Sequence, residues 1–170
     1  NAFKNKGDMI FLIGENAEDI ASSEYLMGYH QIYQSPAPYF NLEAEKRLQD
    51  TIYLLIQHNY ILSAHDVSDG GLFITLAEAG MPHLLGFDIT TISEIRTDAF
   101  LFGEGQGRVV VSVTPGKEAK FIDFLTNRGL PVLMLGHVTR GEMRVDEISY
   151  GFIEDAKDEY NNALKNMMNI

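Results

Sequence analysis

Short apolar runs alternate with segments of helical period along most of this chain, and this alternation restricts the possible folds more than any other feature. The run VVVSV at 109–113 is the clearest strand, because it is rich in β-branched residues and bounded on both sides. Further strands are predicted at 9–14, 60–65, 84–90 and 132–138. The alternation predicts an α/β (α+β) fold, in which a mixed β-sheet has helices packed against it.

The predicted helices lie between and after these strands. The clearest begins after Asn41, whose side chain can cap it, and runs to about Asn59 with apolar residues at helical spacing. Others are predicted over 72–80, over 115–128 and around Tyr160. Three segments are less regular: a short helix at 21–34, an ambiguous stretch at 92–102 and a hairpin at 139–145.

Composition excludes several classes of function. A net charge of -11 argues against nucleic acid as a partner, because phosphate backbones are bound by a surplus of lysine and arginine. The absence of cysteine excludes disulfides and thiolate chemistry and fits a reducing compartment. No apolar run approaches the ~20 residues of a membrane span. We therefore expect a cytoplasmic protein with no membrane partner, folded as a single domain over 1–170.

The stretch AHDVSDGGL connects a predicted strand to a predicted helix. In α/β proteins, loops at the carboxyl end of a strand often bind ligands. Gly70 and Gly71 would let the backbone approach a ligand closely. Asp66 and Asp69 offer carboxylates for a ribose hydroxyl, an adenine-side contact or Mg²⁺. The alternative is structural: Asp69 or Ser68 caps the helix, and the glycines ease the turn.

The stretch FGEGQGRVVV has three glycines that alternate with Glu104 and Gln106 ahead of a strand. A dinucleotide fingerprint has the opposite order, since it follows a strand and opens a helix, and no P-loop sequence occurs. If this loop is functional, Glu104 is its natural ligand for a hard cation. The alternative is a flexible turn with an exposed glutamate. The five histidines are scattered without metal-ligand spacing, and among them His65 alone stands beside a candidate loop.

Taken in chain order, LIG followed by SSEYL, then NLEAEKRLQDTIYLLIQHNYILSAHDVSDGGLFITLAE, then LFGEGQGRVVVSV, form a recognisable set. The set resembles the C-terminal part of phosphoribosylformylglycinamidine synthase, the ATP-dependent amidotransferase of purine biosynthesis. The resemblance extends from about Gly7 to the last predicted helix, and SAHDVSDGGL is its most specific motif. It implies the fold of the C-terminal domain of aminoimidazole ribonucleotide synthetase.

The resemblance also implies a reaction, cofactors and site residues. ATP would activate the amide oxygen of formylglycinamide ribonucleotide, and ammonia from glutamine would displace the phosphate, with Mg²⁺ neutralising phosphate charge. By similarity, Asp66 and Gly103 would contact ATP, Glu104 would hold Mg²⁺ and Gln106 would reach the substrate. Further contacts would come from the loop residues 68–71, and no catalytic residue would lie in this chain.

The sequence departs from the family pattern at two places. Serines are common in the family's GESxS version of the second motif, where this chain has Gly105 and Gly107. SSEY stands where GGSEY is usual.

Family members are longer than this chain, which we expect to be the C-terminal fragment of a multidomain synthase. A preceding synthetase domain would supply the catalytic histidine, and a glutaminase domain or subunit would supply ammonia. The chain alone is predicted to be inactive and to self-associate through an exposed apolar face. Two alternatives stay open. One is another ATP-using member of the superfamily, such as aminoimidazole ribonucleotide synthetase, selenophosphate synthetase or the hydrogenase-maturation protein, and the other is a non-catalytic interface module.

Overall fold

A computed structural model describes residues 1–16 and 18–168. The strands are β1 (Met9–Ile13), β2 (Ser63–Asp66), β3 (Phe87–Ile89), β4 (Val109–Val113), β5 (Val132–Val138), β6 (Glu142–Val145) and β7 (Ile148–Phe152). The α-helices are α1 (Leu42–Gln57), α2 (Gly71–Gly80), α3 (Thr97–Phe102), α4 (Glu118–Thr126) and α5 (Ile153–Met167). A π-helical turn at Tyr25–Tyr29 and a 3₁₀ turn at Met81–His83 complete the regular structure of the described residues.

The strands form one sheet in the order β2-β4-β1-β5-β3-β6-β7. Neighbouring strands are antiparallel except β3 and β6, which run parallel, so the predicted mixed sheet with packed helices is confirmed. β1 lies between β4 and β5, and Met9 is opposite both Val113 and His137. The sheet therefore depends on pairings between residues that are far apart in sequence.

Two hydrophobic cores cover the two faces of the sheet. On β1, Ile10 and Leu12 belong to the core that also contains residues of α2 and α3, whereas Phe11 and Ile13 belong to the core that contains residues of α1 and α4. This division follows from the alternation of side chains along a strand. All four side chains are at most 1% exposed, which explains why β1 is apolar throughout rather than alternating.

α1 begins where the sequence predicts. The Asn41 side chain accepts hydrogen bonds from the backbone N–H groups of Glu43 and Ala44, both at 3.0 Å. This cap satisfies two of the donors that the first turn of a helix leaves free. Leu48 and Leu55 face the core, but Ile56 is 53% exposed, so the apolar face of α1 is narrower than its sequence indicates.

Several predicted elements are shorter than expected or are replaced. The helix expected at 21–34 is reduced to the π-helical turn, and the ambiguous stretch ends in α3. The hairpin expected within 139–145 is wrong in position. The hairpin is formed by β6 and β7, because the turn lies further along the chain, at Asp146 and Glu147, which both have positive φ. No helix among the described residues has both the length and the hydrophobicity needed to cross a bilayer.

Candidate functional site

Three segments that are distant in sequence meet at the carboxylate of Glu104. Its Oε1 atom accepts hydrogen bonds from the backbone N–H groups of Gly70 and Glu24, each at 2.8 Å. Its Oε2 atom accepts no hydrogen bond from the described residues. One oxygen thus fixes the carboxylate, and the second keeps its capacity to accept a hydrogen bond or to bind a cation.

The first turn of α2 depends on this carboxylate. The residue before the helix is Gly70, in the left-handed conformation with φ of 82°, and it supplies no side-chain cap. The structural alternative, in which the side chain of Asp69 or Ser68 caps α2, is therefore wrong. The Gly71 N–H group donates to the Ser68 backbone carbonyl at 2.9 Å, and the Gly70 N–H group donates to the carboxylate of Glu104. A negative charge at a helix N-terminus is also favoured by the helix dipole.

Glycines permit the close contacts that bring these segments together. A Cβ atom at Gly71 would lie 2.7 Å from the Leu101 carbonyl oxygen, and one at Gly14 would lie 2.0 Å from the Gly107 carbonyl oxygen. Both glycines have positive φ. Any larger residue would clash with backbone at these points, so the loops could not approach this closely.

The convergence encloses a cavity of about 340 Å³. The predicted site residues that line it are Asp66, Ser68, Asp69, Glu104 and Gln106. The two acidic loops picked out from the sequence therefore face one space.

The remaining predicted site residues lie behind the wall of this cavity. Gly70 uses its N–H group for Glu104, and Gly71 is buried against Phe102. Gly103 is buried, and a Cβ on it would lie 2.5 Å from the Asp19 carbonyl oxygen.

The cavity is acidic with one buried cation. Four carboxylates line it, those of Glu45, Asp66, Asp69 and Glu104, together with the guanidinium of Arg108. Burial lowers the pKa of Arg108, and the nearby charge of Glu104 acts in the opposite direction. Such a surface attracts a cation, and a phosphate group would need a cation with it.

The donor set fits a magnesium ion that is shared with a phosphate-bearing ligand. Within residues 1–16 and 18–168, no group of three or more His, Cys, Asp or Glu side chains could hold a metal ion by itself. Mg²⁺ commonly takes only one or two protein carboxylates and completes its octahedron with phosphates and water. The open Oε2 atom of Glu104 could supply one such ligand.

An apolar extension of about 120 Å³ adjoins this cavity. The two spaces share Glu45, Leu48, Gln106 and Gly107 as lining residues. Tyr39 and Phe40 line the extension, and Tyr39 is 81% exposed. A ligand with a cationic or metal-bound end and a flat apolar end would fit this arrangement.

Sequence reasoning missed three residues of the site. Glu24, Glu45 and Arg108 take part in it, yet only tertiary structure brings α1 and the turn at 22–25 against the second loop. His65, the histidine beside the first loop, does not line this cavity. Its Nδ1 atom lies 3.0 Å from the Asp66 carbonyl oxygen, its Nε2 atom lies 3.5 Å from Glu78 Oε2, and it lines a separate cavity.

Comparison with known proteins matches residues 5–146 to the family described as "AIR synthase related protein, C-terminal domain". The chain is 40% identical over 137 residues to phosphoribosylformylglycinamidine synthase subunit PurL of Carboxydothermus hydrogenoformans, which covers 81% of this chain and 19% of that relative. The chain thus spans about a fifth of the length of this relative.

Solved structures share the fold. One described as T. maritima PurL complexed with FGAR has a TM-score of 0.77 and 14% sequence identity, and the match covers 92% of this chain and 29% of that chain. Another, T. maritima PurL complexed with ATP, has a TM-score of 0.68 and 15% identity, with coverage of 92% and 26%. At these identities the likeness establishes the architecture.

Proposed function

The chain belongs to the family of AIR synthase related proteins, as their C-terminal domain, and we propose that it is the ATP- and Mg²⁺-facing domain of a phosphoribosylformylglycinamidine synthase. The relative from Carboxydothermus hydrogenoformans carries that name. Because the chain spans only about a fifth of that relative, we assign the activity to a longer multidomain protein of which this chain is the C-terminal part. A cytoplasmic location belongs to the same proposal.

One observation carries the proposal: Asp66, Asp69, Glu104 and Gln106, from two loops, line a single cavity. Glu104 is held there by two backbone N–H groups through one oxygen, so its position does not depend on a ligand. Preorganised acidic ligands of this kind suit a metal–triphosphate, in which most of the catalytic effect comes from positioning and charge neutralisation.

Each site residue has a proposed role. Asp66 is 80% exposed at the cavity wall and would contact ATP. Glu104 would bind Mg²⁺ through Oε2, and the exposed Gln106 would contact the substrate. The role of Gly103 at the nucleotide rests on family resemblance alone, because its backbone is buried against Asp19 and its carbonyl accepts from Arg108.

The bound Mg²⁺ would neutralise phosphate charge while the γ-phosphoryl group moves to the amide oxygen of formylglycinamide ribonucleotide. The residues of this chain would hold the nucleotide and exclude alternative orientations, and none of them would transfer a proton. Ammonia would then displace the phosphate to give the amidine. FGAR and ATP are the ligands named for the two T. maritima structures, and we extend them to this protein as substrate and cofactor.

Catalysis would need partners outside this chain. The preceding synthetase domain would supply the catalytic histidine and most of the substrate pocket, and a glutaminase domain or subunit would supply ammonia. We expect the isolated chain to have no synthase activity. Turnover of formylglycinamide ribonucleotide by the purified 170-residue chain with ATP and ammonia would contradict this expectation.

The test is calorimetry with Mg²⁺ and ATP on the protein that includes the preceding domain. Asp66→Ala and Glu104→Gln should each weaken nucleotide binding by roughly tenfold or more, the equivalent of one charge-assisted contact. Asp123→Asn is the matched control, because Asp123 is exposed on α4 and lines none of the site cavities. Unchanged affinity in both site variants would favour the non-catalytic interface module.

A second measurement separates the members of the superfamily. The same protein would be given ATP together with one candidate substrate at a time: formylglycinamide ribonucleotide, aminoimidazole precursors, selenide or a carbamoyl donor. Consumption of ATP that depends on formylglycinamide ribonucleotide supports the proposal. Consumption of ATP with one of the other substrates instead assigns the domain to a different enzyme of the superfamily.

A further inference from the structure

We propose that Arg108 is the positioning residue of the second acidic loop, residues 103–107. Its guanidinium donates through Nη2 to the Gly103 carbonyl and through Nε to the Gly105 carbonyl, the latter at 3.3 Å. These two carbonyls flank Glu104 in the chain. The side chain thus fixes the backbone on both sides of the residue whose carboxylate anchors the site.

The position of Arg108 itself is fixed. The side chain and backbone together are 5% exposed, and the Arg108 carbonyl accepts from Val67 N–H at 2.9 Å, which extends the pairing of β2 with β4. The guanidinium therefore projects from a rigid strand end into the loop that follows α3. A planar group with five N–H donors can reach two carbonyls at once, whereas an ammonium group presents a single point charge.

The energetic balance points to loop geometry. None of the ion pairs among the described residues includes Arg108, so its partners within the protein are backbone carbonyls. Glu104 attracts the buried guanidinium only from beyond ion-pair distance, and desolvation outweighs this attraction. Burying such a cation is costly, and an apolar side chain would fill the same space at a lower cost. What the guanidinium provides, and an apolar side chain does not, is a defined direction for the carbonyls of Gly103 and Gly105.

The two ends of the loop are held by close backbone contacts, Gly103 with Asp19 and Gly107 with Gly14, but its middle has little else to define its shape. A Cβ at Gly105 would meet no atom within 4 Å, and one at Gly107 would meet only Glu45 Oε2, at 3.4 Å. Without the two guanidinium bonds, the segment around Glu104 would sample other conformations. The hydrogen bonds from Gly70 and Glu24 to Glu104 would then be made for only part of the time.

This inference rests on the proposed function only in its last step, where a more ordered loop is expected to bind Mg²⁺–ATP with higher affinity. Its test uses the full-length protein that contains this chain, with Arg108→Met and Arg108→Lys. Arg128→Met is the matched control, because Arg128 also donates to a backbone carbonyl, that of Phe124, but lines neither site cavity. Hydrogen–deuterium exchange followed by mass spectrometry is measured in peptides covering 22–26, 68–72 and 132–138.

In Arg108→Met, exchange should accelerate at 22–26 and 68–72 and stay unchanged at 132–138, within β5. Arg108→Lys should be intermediate, since its single nitrogen cannot occupy the positions of both Nη2 and Nε. Arg128→Met should match the wild type at 22–26 and 68–72. Affinity for Mg²⁺–ATP should fall by roughly tenfold or more in Arg108→Met.

Two exchange results would overturn the positioning role. Unchanged exchange at 22–26 and 68–72 would mean that Arg108 does not order the site, and equal acceleration at 132–138 would reduce it to a general structural residue. Failure of the wild-type protein to bind Mg²⁺–ATP would contradict the proposed function instead. The exchange data would still test whether Arg108 positions the loop.

Discussion

The Oε1 atom of Glu104 lies 2.8 Å from the backbone nitrogen of Gly70, a residue 34 positions earlier in the chain. This one hydrogen bond joins the two loops whose composition drew attention to them separately. It also replaces the side-chain cap that the start of α2 lacks. A residue proposed for metal binding is therefore also part of the scaffold, and the two roles need to be separated by experiment.

Glu104→Ala and Glu104→Gln should differ in stability. The alanine variant leaves the N–H groups of Gly70 and Glu24 without their acceptor, and we expect a loss of about 1–3 kcal/mol in the free energy of unfolding. The glutamine variant keeps an acceptor oxygen and should lose about 1 kcal/mol or less. Urea unfolding followed by circular dichroism measures both. Equal stability of the alanine variant and the wild type would show that the two bonds contribute nothing.

Gly71→Ala should be strongly destabilising, by about 3 kcal/mol or more, because strain and a backbone clash combine there. The residue has φ of 71°, and its Cβ would lie 2.7 Å from the Leu101 carbonyl oxygen. Gly116→Ala is the matched control, since Gly116 has φ of 87° but open space around it. Its cost should be limited to the strain, about 1–2 kcal/mol. Thermal or urea unfolding of the two variants gives the difference, and equal losses would exclude crowding at Gly71.

The two glycines that replace family serines should respond differently to serine. Gly105 has open space and a backbone conformation that other residues adopt, so Gly105→Ser should change the free energy of unfolding by about 0.5 kcal/mol or less. Gly107 has φ of 75° and lies close to Glu45, so Gly107→Ser should cost about 1–3 kcal/mol. Urea midpoints of the two variants test this, and an equal effect of both would contradict the loop geometry.

Asp98 should contribute to stability in a pH-dependent way. The Arg96 guanidinium donates to its carboxylate and lowers the pKa of Asp98 below the ordinary value of 3.8. A lowered folded-state pKa means that the stabilisation is present above the unfolded pKa and is lost as the pH falls through the folded one.

Asp98→Asn should therefore lower the urea midpoint at neutral pH, and the deficit should shrink below about pH 4. The exposed Asp123→Asn variant serves as the control. If the difference in urea midpoint between Asp98→Asn and the wild type stays constant as the pH falls well below 4, the ion pair with Arg96 does not cause that difference.

The exposed stripe of α5 should drive self-association of the isolated chain. Tyr160 is 62% exposed, Leu164 71% and Met167 81%, which is unusual for large apolar side chains on one helix. Leu164→Lys should shift the weight-average mass toward the monomer in sedimentation, without a change in the unfolding midpoint. Asn166→Lys adds the same charge on the same helix and should have a smaller effect. A monomeric wild type at every concentration would contradict the prediction.

Much of the architecture could be predicted because local signals agree with the fold. β4 was predicted at its observed limits, since a β-branched run fits a strand buried on both faces. The Asn41 cap and the helix over 72–80 were also predicted, because both follow from local sequence signals. The predictions for β1 and α5 likewise needed no tertiary information.

The remaining features depend on tertiary structure. Loop composition marked Asp66 and Glu104, but only the sheet order brings their loops together, and nothing local marks Glu24 or Arg108 as neighbours of Glu104. β7 was missed because its residues are mostly exposed, so the strand lacks the apolar pattern that identifies buried strands.

The central position of β1 has a consequence for protein synthesis. β1 leaves the ribosome before both of its partners, β4 and β5, and a long segment that contains β2, β3 and three helices separates it from them. The apolar side chains of β1 therefore stay unpaired in the nascent chain until β4 and β5 have been made. Because such long-range pairing is slow, a chaperone that covers these side chains would reduce aggregation. Since Gly14 and Gly107 come into contact only when β1 has paired with β4, ligand affinity at the cavity would report on this pairing.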